Sequence, residues 1–273
     1  MTRIEDLLAA RYGAFAPQVK AELNPTLETL LSHRSVRQFT DENVTDDQLK
    51  LIIAAAQSAS TSSSLQVCSV AIVNDKAKRE RLAEVCGASG EFVRQAPVFM
   101  VWLIDFARAA SILELQQIDT NTFDLIESTS LGFLDLGIAS QNALLAAESL
   151  GLGGVYAGSL RNDVPSVIET LKLPKYVFPA FGLAIGHPDR AEKTSIKPRL
   201  PQAAVVHYDE YNPDAWADTV PGYDEEFAKY YAGQGVSNAS WMRTLGKRLS
   251  NPEILHGRQQ LRKHLEAQGF DSK

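Results

Sequence analysis

Cysteine is scarce in this chain: Cys68 and Cys86 are the only two among 273 residues. They lie far apart without a CxxC pair, so neither a disulfide framework nor a zinc site is indicated, and we expect both thiols to be reduced and buried. The five histidines show no metal-ligand spacing either, and only His33 belongs to a coherent group of polar residues. We therefore expect no metal site.

Long apolar runs are also missing. The longest, Pro97 to Ile104, is far shorter than the roughly twenty residues that span a bilayer, and it is typical of a buried strand. The first twenty-five residues contain several charges and no continuous apolar stretch, which excludes an ordinary secretory signal. We expect a cytoplasmic protein that does not bind a membrane.

The chain has no excess of positive charge. Lysine and arginine number 27 against 33 aspartates and glutamates, a net charge of −6, which argues against a general nucleic-acid binder. With 45% apolar and 22% charged residues, the composition is that of an ordinary globular protein. Specific anion sites remain compatible with this balance.

No internal repeat, low-complexity tract or linker divides the chain. Residues 1–26 form an N-terminal extension that is helical over Ile4 to Tyr12. Residues 27–273 are predicted to form a single domain with a sizeable core. Within it, residues 205–273 differ in character, since tyrosines alternate with acidic residues and basic helical segments follow.

Two short motifs, far apart in the chain, each bring two cations close together. In the first, His33-Arg34-Ser35-Val36-Arg37, a helix opening near Ser32 would place Arg34 and Arg37 on one face, beside backbone N–H groups that attract anions. In the second, Lys197-Pro198-Arg199, the proline favours an extended backbone, so that Lys197 and Arg199 lie on the same side.

The two motifs together predict a phosphate clamp, which we define as His33, Arg34, Ser35, Arg37, Lys197 and Arg199. A phosphate ester carries about −1.5 to −2 charges, and each charge-assisted hydrogen bond to it contributes roughly 1.5 to 3 kcal/mol. The spacing alone leaves another interpretation open, in which the first motif is a solvated basic turn and the second a surface loop.

A hydroxyl-rich segment follows a well-specified helix. Thr45 and Gln48 form a capping box, after which apolar residues recur at helical spacing. Residues 59–66, Ala-Ser-Thr-Ser-Ser-Ser-Leu-Gln, are too polar to continue that helix, and we call them the hydroxyl loop. Their side chains favour turns and can offer hydroxyls to a ligand. A flexible linker is the alternative.

Three further elements are predicted from apolar patterns. The segment Ser140 to Leu150 is apolar nearly all round and should be a central helix, which we expect at a dimer interface. Val155-Tyr156 is typical of a short strand. Val177 to Ile185 is typical of a core strand that ends at Gly186.

Taken in order, these motifs resemble a known family. The sequence HRSVRQFTDE, the following helix, the hydroxyl loop, Gly151 to Asn162 and finally KPRLP are similar to the oxygen-insensitive nitroreductases. More narrowly, they resemble the NADPH-dependent nitroreductase and flavin reductase P group. The resemblance runs from about Leu27 to Gly269 with similar spacings.

The resemblance implies an α+β fold with a central, mainly antiparallel sheet flanked by helices. It also implies a homodimer with FMN at the subunit interface and a C-terminal arm, about residues 205–273, that wraps the partner subunit. A helical cap on the chain's own core is the alternative for this arm.

The resemblance further implies that the phosphate clamp holds the FMN phosphate. It assigns Thr61, Ser62 and Ser63 to flavin contacts, with Ser63 also near the substrate. Tyr156, Ala157, Gly158 and Ser159 would lie along the flavin ring, where small residues let backbone N–H groups approach. No catalytic side chain is expected, since the redox centre is FMN N5.

The chain departs from the family pattern at two places. Where the family has Gly-x-Gln, this chain has Gly87-Ala88-Ser89-Gly90, so that Ser89 stands near the position of a flavin-contacting glutamine. Where the family has an arginine pair beside the NADPH 2′-phosphate, this chain has Ser237 to Trp241. Both NADPH and NADH therefore remain possible donors.

Arg258 aligns with an arginine that reaches the active-site mouth in the family. The resemblance assigns it to substrate binding, and an exposed helix arginine is the alternative. We expect an FMN-dependent NAD(P)H oxidoreductase that reduces nitroaromatics, quinones or related acceptors by two electrons in a ping-pong mechanism. The alternatives are a flavin reductase that supplies free reduced FMN and, in another class, a flavin-binding protein with little turnover.

Overall fold

The structure, a computed structural model, describes residues 3–270. Within this range the helices, in chain order, are α1 (Ile4–Tyr12), α2 (Pro25–Ser32), α3 (Asp46–Gln57), α4 (Lys76–Cys86), α5 (Gly90–Gln95), α6 (Ala107–Leu115), α7 (Ile126–Ser149), α8 (Val164–Leu171), α9 (Val220–Gly233), α10 (Trp241–Ser250) and α11 (Leu261–Ala267). The strands are β1 (Cys68–Ile72), β2 (Val98–Asp105), β3 (Gly153–Ala157) and β4 (Val177–Gly186).

The chain divides into two compact units. The first unit comprises the described part of Met1–Arg34 together with Lys193–Pro252, and it contains α1, α2, α9 and α10. The second unit comprises Ser35–Glu192 and the described part of Glu253–Lys273, and it contains the remaining helices and all four strands.

The sheet of the second unit has the strand order β1-β2-β4-β3, and all its neighbouring strands pair antiparallel. In β2, Met100 and Trp102 belong to the core on one face, whereas Phe99 and Val101 belong to the core on the other. Both faces are therefore buried, which explains why this strand is a continuous apolar run. The predicted α+β fold and the predicted strands β2, β3 and β4 are confirmed.

On one face of the sheet, α3 and α7 pack together. The central helix predicted over Ser140 to Leu150 is present, but it begins much earlier, at Ile126. Gly132 lies so close to the sheet that an added Cβ would stand 2.5 Å from the Ile104 side chain. The capping box that opens α3 is confirmed, with Thr45 N donating to Gln48 Oε1 at 2.9 Å and Gln48 N donating to Thr45 Oγ1 at 3.2 Å.

The helix predicted to open at the first cationic motif is wrong. Helix α2 begins earlier, because Asn24 caps it and Pro25 occupies its first turn, and it ends at Ser32. His33 is the C-cap with an extended backbone, and Ser35 then pairs with Gly154 as an isolated parallel bridge. Arg34 and Arg37 consequently do not share a helix face.

The first unit contains an aromatic cluster. The rings of Tyr223 and Phe227 on α9 lie 6.3 Å apart, and the Tyr223 ring lies 5.4 Å from that of Trp241 at the start of α10.

The predicted helix over Ile4 to Tyr12 is confirmed as α1, whose Leu7 and Leu8 are buried. From residue 3 onward, the extension therefore belongs to this unit.

The last described residues, up to Phe270, pack into the core of the second unit. Leu265 on α11 and Phe270 are buried there, and the Phe270 ring makes edge-to-face contacts with Phe106 and Phe178 at 5.9 and 6.4 Å. Tyr176 N donates to the carbonyl oxygen of Gln268 at 2.8 Å. Residues 261–270 thus cover the chain's own core, while wrapping of a partner by the preceding residues stays a prediction.

Candidate functional site

The first unit joins the two cationic motifs through a buried arginine. Arg11, at the C-terminal end of α1, donates from Nη2 to the carbonyl oxygen of His33 at 2.9 Å and from Nη1 to that of Lys197 at 2.7 Å. In addition, Arg199 N donates to the carbonyl oxygen of Arg11 at 2.9 Å. The backbones that carry His33, Arg34, Lys197 and Arg199 are therefore fastened to one another.

The side chains of these cations have different surroundings. Lys197 Nζ donates to the Tyr231 hydroxyl at 2.9 Å and lies 5.0 Å from the centroid of that ring, a cation–π arrangement. Arg34 lines a cleft of about 610 Å³ in the first unit, together with Lys229 of α9. Arg199 is exposed and donates to the carbonyl oxygen of Pro198 at 3.2 Å.

The rest of the first motif lies in the second unit. Val36 N donates to the carbonyl oxygen of Gly154 at 3.0 Å, which sets Ser35 beside the start of β3. Arg37 is exposed, and its backbone N lies 3.1 Å from both carboxylate oxygens of Glu192. A backbone N–H of this motif does bind an anionic group, although no helix begins here.

The hydroxyl loop is held by a buried aspartate. Asp135, on α7 and 2% exposed, accepts from Ser62 N and from Ser62 Oγ, both at 3.0 Å. The side chains of Thr61 and Ser63 on either side are exposed. The loop is thus anchored from beneath while neighbouring hydroxyls face outward, so the alternative of a flexible linker does not fit.

The backbone of the hydroxyl loop is left-handed at three non-glycine residues. Ser63, Ser64 and Gln66 have φ values of 49°, 54° and 53°. Such conformations cost free energy and cluster at functional sites, where the surrounding contacts maintain them. One such contact comes from Arg108, which donates to the Gln66 carbonyl oxygen at 2.5 Å and pairs with Asp105 at 3.2 Å.

A cavity of about 530 Å³ lies in the second unit, lined by α3, β1, β2, α7 and the hydroxyl loop. Trp102, 2% exposed, lines it, and among residues 3–270 its indole N–H has no hydrogen-bond partner. Cys68 lines it as well. Burial, with a further contribution from the charge of Asp135, raises the pKa of the Cys68 thiol to about 12, so this thiol is neutral and is not a nucleophile.

The segment predicted to lie along a flavin ring runs from the end of β3 into a 3-10 turn, Gly158–Asn162. Tyr156 donates from its hydroxyl to Ser140 Oγ at 3.2 Å, and burial raises the pKa of this phenol. An added Cβ at Gly158 would meet only Arg161, at 3.5 Å, so a planar ligand can approach this backbone closely. Ala157 is buried and Ser159 is half-buried.

Ser89 and Arg258 occupy different local settings. Ser89 is half-buried and immediately precedes α5.

Arg258 is half-buried, donates from Nε to the Leu255 carbonyl oxygen at 2.8 Å, and opens the 3-10 segment Arg258–Gln260. The preceding Gly257 has φ 93° and packs against the Asn162 carbonyl oxygen, which would stand 2.2 Å from an added Cβ. The Arg258 segment therefore lies against the Gly158–Asn162 turn.

Three residues that shape the site were not predicted from the sequence: Arg11, Asp135 and Arg108. Each acts on a segment distant in the chain, since Arg11 lies 186 residues from Lys197, Asp135 lies 73 from Ser62, and Arg108 lies 42 from Gln66. A single Arg or Asp in a helix carries no local signal for such a partner.

Within the described residues, no three histidine, cysteine, aspartate or glutamate side chains are grouped so that they could hold a metal ion. Between residues 3 and 270, no helix combines the length and the apolar character needed to cross a membrane.

Comparison with known proteins identifies the family. The nitroreductase family matches residues 30–187, and the C-terminal domain of the nitroreductase family matches residues 197–273. The chain therefore belongs to the nitroreductase family, as the sequence motifs indicated.

Two curated relatives cover most of the chain. An oxygen-insensitive NADPH nitroreductase of Salmonella typhimurium is 47% identical over 213 residues, which is 78% of this chain and 85% of the relative. An NADPH-flavin oxidoreductase of Vibrio harveyi is 42% identical over 238 residues, which is 85% of this chain and 95% of the relative.

Solved structures are similarly close. The structure of NfrA2 from B. megaterium has a TM-score of 0.84 and 40% identity, covering 92% of this chain and all of that one. The NADPH:FMN oxidoreductase from Vibrio harveyi, complexed with NAD+, has a TM-score of 0.80 and 39% identity, again covering 92% of this chain and all of that one.

Proposed function

We propose that this protein is an FMN-dependent NAD(P)H oxidoreductase that reduces nitroaromatics, quinones or related acceptors by two electrons. The family supports this function, as do relatives named for NADPH nitroreductase, NADPH-flavin oxidoreductase and FMN reductase activities. The observation that carries it is the fastening of the two cationic motifs by Arg11, because a phosphorylated cofactor needs several cations on segments of fixed position.

The residues of the first unit have the chemistry that an FMN phosphate requires. Arg34, Lys197 and Arg199 supply positive charge, and His33 supplies a ring nitrogen next to them in sequence. Lys197 Nζ donates to the Tyr231 hydroxyl at 2.9 Å, and an ammonium has two further donors that can serve phosphate oxygens. We assign these four residues to the phosphate. The sequence also assigned Ser35 and Arg37 of the second unit to the phosphate, and for these two residues the assignment stays a prediction.

The residues of the second unit have the chemistry that a flavin ring requires. We assign Tyr156, Ala157, Gly158 and Ser159 to the ring, because the backbone at Gly158 is open to close approach. The exposed hydroxyls of Thr61 and Ser63, with Ser62 between them, and the half-buried Ser89 are the further flavin contacts. FMN bound here would supply the redox chemistry, as a carrier of two electrons from NAD(P)H to the acceptor.

We expect ping-pong kinetics, because the nicotinamide and the acceptor would use the same face of the bound flavin in turn. Ser63 and Arg258 are the residues that we assign to the acceptor, the latter because its segment packs against the Gly158–Asn162 turn through Gly257. Initial rates measured against NAD(P)H concentration, at several fixed acceptor concentrations, are expected to give parallel double-reciprocal lines. Intersecting lines would require both substrates to be bound together.

A flavin reductase that releases reduced FMN is the second candidate. It is favoured by the names of two relatives, the NADPH-flavin oxidoreductase of Vibrio harveyi and the FMN reductase (NAD(P)H) of Bacillus subtilis, which is 40% identical over 255 residues. Faster turnover of free FMN than of nitro compounds would select it. Slow NAD(P)H oxidation at full flavin occupancy would instead select a flavin-binding protein with little turnover.

The donor can be either NADPH or NADH, because the family's arginine pair is not matched. Arg243, Lys247 and Arg248 on α10 are the cations nearest in sequence that could take its place. Arg243 is exposed and donates to the carbonyl oxygen of Asn238 at 2.5 Å, which lies in the segment Ser237 to Trp241 that stands in place of the arginine pair.

A homodimer is the assembly that we propose, with FMN at its interface, and a cytoplasmic location stays a prediction. Exposed apolar side chains support the dimer. On α7, Leu134 is 64% exposed, and on α10, Leu249 is 76% exposed. With Ile138 on α7 and with Met242 and Leu245 on α10, they form contiguous exposed apolar patches, which are typical of surfaces that a second chain covers.

The phosphate assignment is tested by Arg34→Ala and Lys197→Ala. Each variant removes one charge-assisted hydrogen bond, worth roughly 1.5 to 3 kcal/mol, so FMN affinity should fall about tenfold to a hundredfold. The flavin-to-protein ratio after purification and the Kd of added FMN measure this loss. Lys229→Ala, in the same cleft as Arg34, is the matched control and should retain its flavin. Unchanged FMN affinity in both clamp variants would remove the assignment.

A further inference from the structure

Arg11 is one of the few charged residues buried in the described part of the chain. It is 6% exposed, and its guanidinium donates to three carbonyl oxygens: Lys197 at 2.7 Å, Leu31 at 3.0 Å and His33 at 2.9 Å. Arg199 N closes the arrangement by donating to the carbonyl oxygen of Arg11. A single side chain from α1 thus binds the segments on both sides of the cationic site.

The geometry of these contacts suits a guanidinium better than a lysine ammonium. Its five N–H donors lie in one rigid plane, so two nitrogens can serve three carbonyls at once, which a lysine ammonium on a flexible stem does less well. Leu31 and His33 lie at the C-terminal end of α2, where unpaired carbonyls and the helix dipole favour a cation.

The fastened atoms belong to the backbone of residues that carry the clamp. Arg11 holds His33, which precedes Arg34, and it holds both Lys197, through the side chain, and Arg199, through the main chain. Ordering long cationic side chains around a phosphate costs conformational entropy, and the cost falls when the backbone is fixed beforehand.

We infer that Arg11 is a positioning residue for phosphate binding: it preorganises His33, Arg34, Lys197 and Arg199 for the phosphate of the flavin without having to touch it. This inference rests on the proposed function. It gives the N-terminal extension a role in cofactor affinity, and in particular in the preference for FMN over riboflavin, which lacks the phosphate.

The test measures the Kd of FMN and the Kd of riboflavin for the flavin-free full-length chain, by quenching of flavin fluorescence. It compares the parent protein with Arg11→Gln and Arg11→Lys. FMN affinity should fall about tenfold or more in both variants, since neither keeps the forked contact, while riboflavin affinity should change less than about twofold. The matched control is Arg3→Gln at the N-cap of the same helix, whose side chain is 75% exposed, and it should bind both flavins as the parent does.

Two outcomes overturn the inference. Equal weakening of FMN and riboflavin would make Arg11 a general structural contact, and unchanged FMN affinity in a folded variant would make it dispensable. If neither variant folds, hydrogen exchange of the parent chain decides. The Arg199 amide, which donates to Arg11, should be protected equally with riboflavin and with FMN, whereas protection that appears only with FMN would show that the phosphate orders the segment.

Failure of this inference is distinguishable from failure of the proposed function. If the parent protein binds riboflavin as tightly as FMN, the phosphate assignment itself is wrong. If the parent prefers FMN and Arg34→Ala loses that preference, but the Arg11 variants keep it, only the role of Arg11 is refuted.

Discussion

Single residues at this site act mainly through the segments that they hold. Gly257, which precedes Arg258, is an example, since it has φ 93° and lies against the Asn162 carbonyl oxygen. Only glycine adopts such a backbone without strain and leaves room for that oxygen. The contact places the Arg258 segment beside the turn that we assign to the flavin ring, although the arginine itself is only half-buried.

Replacing Arg258 with alanine should raise the KM for the acceptor several-fold while leaving flavin content unchanged, because the side chain is assigned to the acceptor and not to FMN. Steady-state kinetics with a nitroaromatic acceptor, together with the flavin absorbance of the purified variant, measure both quantities. Arg262→Ala, one turn further along in the exposed part of α11, is the control. Unaltered kinetics would show that Arg258 does not contact the acceptor.

Residues of the site could be predicted from the sequence where they form a local motif, and could not be predicted where their partner is distant in the chain. The basic pairs around Arg34 and Lys197 are visible as short patterns. Arg11 looks like an ordinary charge of an amphipathic helix, and only the fold shows that its guanidinium is buried against two other segments. The same holds for Asp135, whose burial under the hydroxyl loop depends on the packing of α7.

At the scale of elements, the hydroxyl loop is a strained segment fixed at two points. Asp135 holds its middle through Ser62, and Arg108 holds its end through the Gln66 carbonyl oxygen. Left-handed backbone at Ser63 and Ser64 persists because these contacts maintain it. The loop can therefore present hydroxyls in fixed positions to a ligand.

Asp135→Asn should loosen this loop, because a neutral amide accepts weaker hydrogen bonds than a buried carboxylate, at a cost of about 1 to 3 kcal/mol. Hydrogen exchange over residues 59–66 should accelerate, and FMN affinity should fall with it. Glu127→Gln, the same charge change at an exposed position in the first turn of α7, is the control. Exchange at the parental rate in Asp135→Asn would show that the aspartate does not hold the loop.

Elements were predictable where the apolar pattern is strong or a cap is present. Strands β2 and β4 and the capped helix α3 were predicted at nearly their observed bounds. Helix α7 was found only in part, since its first half contains Gly132 and Gly137, which weaken a helix pattern yet allow close packing at Ile104. The helix expected at Arg34 was wrong, because the cap at Asn24 had already opened α2.

At the scale of the whole molecule, the chain leaves apolar helix faces uncovered. Leu134 and Ile138 on α7 are one turn apart and exposed, and Met242, Leu245 and Leu249 form an exposed stripe on α10. Such exposed apolar surface on α7 and α10 is unfavourable for an isolated chain. A homodimer that buries these faces accounts for both.

Light scattering of the parent protein should therefore give the mass of two chains. Leu134→Lys or Leu249→Lys should shift the measured mass toward that of one chain, because a buried unpaired charge opposes association. Leu115→Lys, which changes an exposed leucine at the end of α6, is the control for charge alone. A parent protein with the mass of a single chain at micromolar concentration would contradict the dimer.

The central claim, a reducible FMN bound by this chain, is tested most directly by an anaerobic visible spectrum of the purified protein before and after addition of NADPH and, separately, NADH. We predict flavin absorption bands that bleach on addition of at least one of the two nicotinamides, and the relative bleaching rates then identify the preferred donor. A colourless protein that takes up no added FMN would contradict the phosphate clamp, the flavin assignment and the proposed activity together.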